Sequence, residues 1–227
     1  MSTNPSPERE ASTPSSLADG EMEPTLSPRF ITYVRDYYMD RGLDPAGLFN
    51  ACGLDADSCD ELDQPLPAWQ VATLLESAAK ESGTPTFGLD MARSYHYEAS
   101  SLLILAVISA PNVAEGVRCL CRYDRFVDTA IEARLDFNDS SAEFAHRVMT
   151  PTGVATQQLN EYLTAFLVQT LNNSTRRQMP ISEVHFRHRD ATNKAALEAY
   201  FDAPVSFGQA ESLMRFDSAY LQERFYT

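Results

Sequence analysis

Residues Ser101–Phe126, SLLILAVISAPNVAEGVRCLCRYDRF, join the densest apolar run of the chain to its clearest helix start. Ser101 to Ile108 falls far short of the roughly 20 apolar residues that span a bilayer, so it reads as a helix buried on nearly all sides. After Ser109-Ala110-Pro111, Asn112 stands as an N-cap with Glu115 three residues on, a spacing at which each side chain can take the other's orphan backbone N–H. Val113, Val117, Leu120 and Cys121 then recur at helical spacing and form one apolar stripe, with Asp124 in the same phase one turn later. Two core helices are therefore expected here, and the rest of the chain is read outward from them.

Upstream, Met1 to about Thr25 is rich in Ser, Thr, Pro and acidic residues and poor in large apolar side chains. Such a stretch cannot bury enough surface to offset the entropy of ordering, and residues 1–25 read as a disordered tail. Ser27 and Pro28 open a helix whose face is Phe30, Ile31, Val34, Tyr37 and Tyr38, stopped at Gly42. Asp44-Pro45 starts a short helix that ends at Gly53. The acidic run Asp55, Asp57, Asp60, Glu61 and Asp63 follows and would repel phosphate, so this helical pair is scaffold rather than a DNA reader. Leu66 to Ser82 forms an amphipathic helix with Val71, Leu74, Leu75 and Ala78 inward. Trp69 near its start is expected to fill core. Thr84-Pro85 caps a further short helix through Arg93, and residues 26–128 make up a helical lobe.

Downstream the period changes from 3.6 to 2. Thr129, Ile131, Ala133, Leu135 and Phe137 alternate with polar positions, Asn138-Asp139-Ser140 supplies a turn, and Ala142, Phe144, His146 and Val148 alternate in turn. That pattern predicts an antiparallel hairpin. Gly153 to about Ser174 reads as a long helix, Ile181 to His188 as a third strand, Thr192 to Phe201 as a helix and Ser212 to Phe216 as a fourth strand at the sheet edge. The fold class is α+β: an N-terminal helical lobe packed on a β-β-α-β-α-β mixed or antiparallel sheet layer with helices, the second lobe covering residues 129–227.

The chain has 227 residues, 44% of them hydrophobic, enough for a well-filled core. A formal charge of −14 and a pI near 4.6 argue against a grip on DNA or an anionic membrane by this chain itself. No basic head followed by an apolar segment and no run of 18 apolar residues occurs, which places the protein in the cytoplasm without a membrane partner. Cys52, Cys59, Cys119 and Cys121 match no zinc or haem-attachment spacing and read as small buried hydrophobes. Cys119 and Cys121 lie roughly 200° apart on a helix and cannot share a metal. His185 and His188 point to opposite faces of a strand and read as structural. No nucleophile elbow, P-loop, dinucleotide turn or zinc-protease motif is present, so neither enzyme activity nor a cofactor or metal is expected.

Four segments, in order, resemble the N-terminal effector-binding (arabinose-binding-like) domain of AraC/XylS-type transcriptional regulators. They are ITYVRDYYMDRGLDPAGLFNACGL, LPAWQVATLLESAAKESGTPTFGLDMARSY (Leu66 to Tyr95), ISAPNVAEGVRCLCRYDRF and ISEVHFRHRDATNKAALEAYFDAPVSFGQAESLMRFDSAYL (Ile181 to Leu221). The most specific part is PVSFGQAESLMRFDSAYL. His188 falls where the family commonly has a histidine, and Arg189 replaces the proline that usually follows. The resemblance implies an effector-sensing and dimerisation domain that binds a small organic molecule and forms a homodimer. It implies that DNA, and RNA polymerase where it is engaged, are met only through a C-terminal helix-turn-helix domain absent from this chain. Two other classes are open: a haem or gas sensor, and a protein-interaction module without a small ligand. A closed cavity between the helical lobe and the sheet would distinguish the effector reading from the interaction module.

The effector site is expected between the helical lobe and the inward face of the Thr129 to Met149 hairpin, where two differently patterned layers meet. Tyr95, His96, Tyr97, Tyr123, Phe144 and His146 are the candidate effector-binding residues, supplying aromatic walls with hydroxyl and imidazole tips. Taken singly each is more often structural, and His146 in particular reads as a buried histidine satisfied by a backbone carbonyl. Asp124 is expected to hold Arg122 or Arg125 or to lie in water past the last helical turn, with a cationic or hydroxylated ligand as the third reading.

Overall fold

A computed structural model describes residues 23–54, 64–94 and 102–226. The Cys59, Tyr95, His96 and Tyr97 readings, the acidic run and nearly all of the N-terminal tail lie outside these residues.

The described chain begins with β1 (Thr25–Leu26), then α1 (Arg29–Met39) and α2 (Ala46–Ala51). α1 buries Phe30, Ile31, Val34, Tyr37 and Tyr38, the expected face. Its first turn is flanked by Pro28, and Ser27 Oγ lies 3.4 Å from the Arg29 amide. Asp44 Oδ1 accepts from the Ala46 amide at 3.0 Å and opens α2. Leu66–Pro67 does not start the next helix; it forms β2, which pairs antiparallel with β1. α3 (Ala68–Glu81) follows with Val71, Leu74, Leu75 and Ala78 fully buried. Trp69 is only half-buried, its indole donating to Glu23 Oε1 at 2.9 Å, so it caps the surface rather than filling core.

Beyond α4 (Phe87–Ser94) come α5 (Leu102–Ile108) and α6 (Val113–Tyr123). Asn112 Oδ1 accepts from the Glu115 amide at 3.0 Å as expected, while the Glu115 carboxylate turns to Arg118. α5 departs from the sequence reading. It buries only Ile104, Val107 and Ile108, and leaves Leu102 84% and Leu105 42% exposed. It is a surface helix packed by one face on α6, and its apolar composition did not reveal that the opposite face has no neighbour among the described residues.

The sheet is built from β3 (Ile131–Phe137), β4 (Ser141–Val148), β5 (Ile181–His185), β6 (Val205–Ser206) and β7 (Ser212–Asp217), with α7 (Gln157–Thr175) and α8 (Lys194–Phe201) between strands. Strand order is β3-β4-β7-β5-β6, with β5 and β6 parallel and the other neighbours antiparallel. The hairpin forms as predicted, Asn138 Oδ1 gathering the Ser140 and Ser141 amides at 3.0 Å. β7 is central rather than an edge strand. β4 and β5 pair with it on either side, and Leu213 and Met214, which point to opposite faces, are both buried. α7 starts at Gln157, the left-handed Gly153 (φ 93°) lying in the turn before it. It packs against α3 and α4 on one side and β7 on the other, which is why polar Gln158, Asn160, Glu161, Thr164 and Thr170 are buried along with its apolar stripe.

A short strap then joins the layers. The Thr25 amide donates to Thr129 Oγ1 at 2.8 Å, the Ala130 amide to Thr25 O at 3.0 Å, and the Ser27 amide to Asp128 Oδ1 at 2.5 Å. The helices and the five-stranded sheet share one continuous hydrophobic core.

Candidate functional site

A cavity of about 110 Å³ lies at this seam, bounded by α1, the 3-10 turn Asp124–Phe126 after α6, the β3–β4 hairpin and α7, with Leu103 and Ile104 of α5 at its side. Its walls are largely apolar because they are the core-facing sides of these elements. α1 presents Phe30 and Tyr33. α7 presents Tyr162 and Phe166, four residues apart and thus on one face. Phe30 meets Tyr162 edge to face with ring centroids 5.7 Å apart, and Tyr162 stacks on Phe166 at 5.6 Å. Phe144 and His146 close the sheet side, two residues apart on the inward phase of β4 and stacked on each other at 6.1 Å.

His146 is 5% exposed and its Nε2 has no hydrogen-bond partner. Burial pushes the imidazole pKa down to about 4, which keeps the ring neutral. Asn160 is its polar side-chain neighbour and works against the effect of burial. The expected backbone carbonyl partner is not what holds this histidine.

Asp124 is the second feature. It follows the last turn of α6, yet it is only 9% exposed and lines the cavity. Among the described residues its carboxylate makes no hydrogen bond or ion pair. Arg122 and Arg125 lie instead over the rings of Tyr123 and Phe126, so neither favoured sequence reading holds. Desolvation, and then the charge of Asp128, push the Asp124 pKa up to about 7. Asp128 is pushed up to about 6 by burial, opposed by the Ser27 N–H and by the charge of Arg29.

Of the candidate residues, Phe144 and His146 line the cavity together. Tyr123 does not: it is 47% exposed, with its ring 6.3 Å from that of exposed Phe126. Tyr95, His96 and Tyr97 fall outside the described residues. Phe30, Tyr33, Tyr162 and Phe166 were not anticipated as site residues. Their spacing marks helix faces, and no local signal shows that those faces border a gap.

On the other side of the sheet a groove of about 430 Å³ carries Glu132, Arg134, Arg147 and Glu211. Although larger, it is as much polar as apolar, and four of its five charged side chains pair with one another, Arg147 with Glu132 at 2.7 Å and Arg134 with Glu211 at 2.5 Å, leaving Arg187. The seam cavity, with unmet polar atoms in an apolar lining, is the better ligand site.

Residues 42–225 match the family model of the arabinose-binding domain of AraC transcription regulators, N-terminal. Among solved structures, the transcriptional regulator CdpR from Pseudomonas aeruginosa superposes with a TM-score of 0.59 at 14% identity, over 86% of this chain and 56% of that one. At that identity the likeness is one of fold, and this chain spans little more than half the length of that regulator. No curated protein sequence matches.

Proposed function

This chain belongs to the family of N-terminal arabinose-binding domains of AraC transcription regulators, and we propose that it senses a small organic effector in the cavity between its helices and its hairpin. The observation that carries the reading is the cavity itself, where His146 Nε2 is buried without a partner and the Asp124 carboxylate makes no ion pair among the described residues, both beside an aromatic lining. A buried polar atom without a partner costs about 1–3 kcal/mol, so a ligand that pairs with it recovers free energy on binding. The cavity joins elements far apart in sequence, and a ligand seated there would favour one packing of α1 and α7 on the hairpin over another.

Its size bounds the effector. An engineered cavity of about 150 Å³ takes up benzene, so about 110 Å³ accommodates a slightly smaller body, well below the roughly 300 Å³ at which drug-sized pockets begin. A haem does not fit this conformation.

In the regulator the domain would act as a homodimer and pass ligand occupancy to a separate DNA-binding domain, with DNA and RNA polymerase met there rather than here. α7 is not the dimer surface in this reading, since Leu167 is buried and Phe166 lines the cavity. Light scattering across a concentration series tests the dimer. The test of the site is a thermal-shift screen of small amines, alcohols and acids on the parent protein and on His146→Phe. A hit whose stabilisation is unchanged in that variant places the effector elsewhere.

A further inference from the structure

The charged side chains that line the seam cavity are Asp124, Asp128 and Arg29, two carboxylates to one guanidinium. Asp124 offers a carboxylate that meets no donor and no cation among the described residues, and His146 offers an imidazole Nε2 with no partner. Asp128 adds a second carboxylate, already engaged by the Ser27 amide and offset by Arg29 at the mouth. One net negative charge remains, that of Asp124, in a pocket walled by Phe30, Tyr162 and Phe166. A carboxylate or phosphate ligand would meet like charge there. A sugar would need paired donors and acceptors that an aromatic wall does not supply. An ammonium group carries three N–H donors and a positive charge, and aromatic faces attract cations.

We propose that the cavity binds a primary amine with a small apolar body, its ammonium donating to the Asp124 carboxylate and its body lying among Phe30, Tyr162 and Phe166. The assignment rests on the effector reading above and narrows it to a chemical class. The groups that face Asp124 are Asp128 beside it, Cys121 on α6, Arg29 and Tyr33 on α1, His146 on β4 and Tyr162 on α7. Of these only Arg29 is a cation, and it sits with Asp128. Burial lifts the Asp124 carboxyl, so an amine that pairs with it binds best above about pH 7 and loses affinity as the site takes up a proton.

The experiment compares n-propylamine, n-propanol and propanoate, three probes with one three-carbon skeleton that stay below the size of benzene. Each is titrated at about pH 8 into the full chain and into Asp124→Asn, with affinity read by calorimetry and folding by circular dichroism. The expected result is that the amine binds the parent at least about tenfold more tightly than the alcohol, with the acid weakest. Asp124→Asn should remove that preference and leave the affinity for the alcohol unchanged. An alcohol that binds as tightly as the amine, or an amine indifferent to Asp124→Asn, overturns the amine assignment while the effector cavity stands. If none of the three binds the parent chain, the assignment and the cavity reading both fall.

Discussion

His188 Nε2 lies 3.1 Å from Glu161 Oε1, and Glu161 on α7 is fully buried. The approach is close without being an aligned hydrogen bond, since neither atom has a partner of good geometry. Asn193 supplies the aligned bond, its Nδ2 donating to Glu161 Oε2 at 2.5 Å. The imidazole is held in place by Phe186 and Phe207, whose ring centroids lie 5.0 and 5.2 Å away. This cluster ties α7 to the segment between β5 and α8, and it explains a histidine at position 188 without any ligand. Removing the buried ring leaves a cavity between Phe186 and Phe207 and strips the Glu161 carboxyl of a polar neighbour, at a combined cost of about 3–5 kcal/mol. His188→Ala should therefore lower the melting temperature by roughly 10 °C in a domain of this size. Asn193→Ala should cost only about 1–3 kcal/mol. Thermal and urea denaturation check both, and a melting point unchanged in His188→Ala would mean that the carboxyl is held by Asn193 alone.

A second prediction concerns the crossing of α4 and α7. A Cβ built on Gly88 would stand 2.1 Å from the Gln158 carbonyl oxygen, so the helices touch backbone to backbone. The Gly88 amide uses that closeness to donate to Gln158 Oε1 at 2.8 Å. Gly88→Ala must push the helices apart, and overpacking of this kind costs about 1–3 kcal/mol or more. Adding Gln158→Ala should not rescue it, because the obstruction is main chain. A double variant as stable as the parent would show that the helices separate freely.

Much of the fold is legible because its signals are local. The Asn112 cap, the Asn138 turn and the alternation of Ala142, Phe144, His146 and Val148 each depend on neighbours within a few residues. What escaped depends on distant partners. Leu102 and Leu105 read as core because composition does not say which face of α5 is covered. β7 read as an edge strand because its length says nothing of its two neighbours. The site was half visible: Phe144 and His146 follow from the hairpin phase, whereas Phe30 and Tyr162 border the cavity only through the packing of helices more than a hundred residues apart in sequence.

The strap at the N-terminus sets where the chain can be shortened. Removing residues 1–22 should leave the melting temperature within about a degree or two, as their composition offers little apolar surface. Removing residues through Leu26 should not. It deletes β1, the bonds of Thr25 to Thr129 and Ala130, and fully buried Leu26. Burying a leucine alone is worth about 1.5–3 kcal/mol, so the longer truncation should melt several degrees lower. Equal melting points for the two truncations would show that the strap adds nothing.

Asp124 and His146 make opposite contributions to pH stability, although both line one cavity. The Asp124 carboxyl is raised from 3.8 to about 7 and that of Asp128 to about 6. From about pH 4 upward the folded protein therefore keeps protons that the unfolded chain releases, and stability falls as pH rises to about 7. Two neighbouring carboxyls titrate as a pair, so the fall is drawn out rather than centred on one residue. His146 is lowered from 6.5 to about 4, so the unfolded chain takes up a proton that the buried ring refuses. Its contribution is lost as pH drops through that window, which partly cancels the carboxyl trend below about pH 6.5 and leaves the carboxyls alone above it. Asp124→Asn should accordingly stabilise the protein at about pH 8 relative to the parent, and flatten the decline between about pH 6.5 and 8. His146→Phe should raise stability at about pH 5 instead and leave the alkaline side unchanged. Melting curves from about pH 4 to 9 on the three proteins separate the two groups; an Asp124→Asn variant that is less stable than the parent at pH 8 would mean that the carboxylate is paired there, and that no ligand cation is needed to balance it.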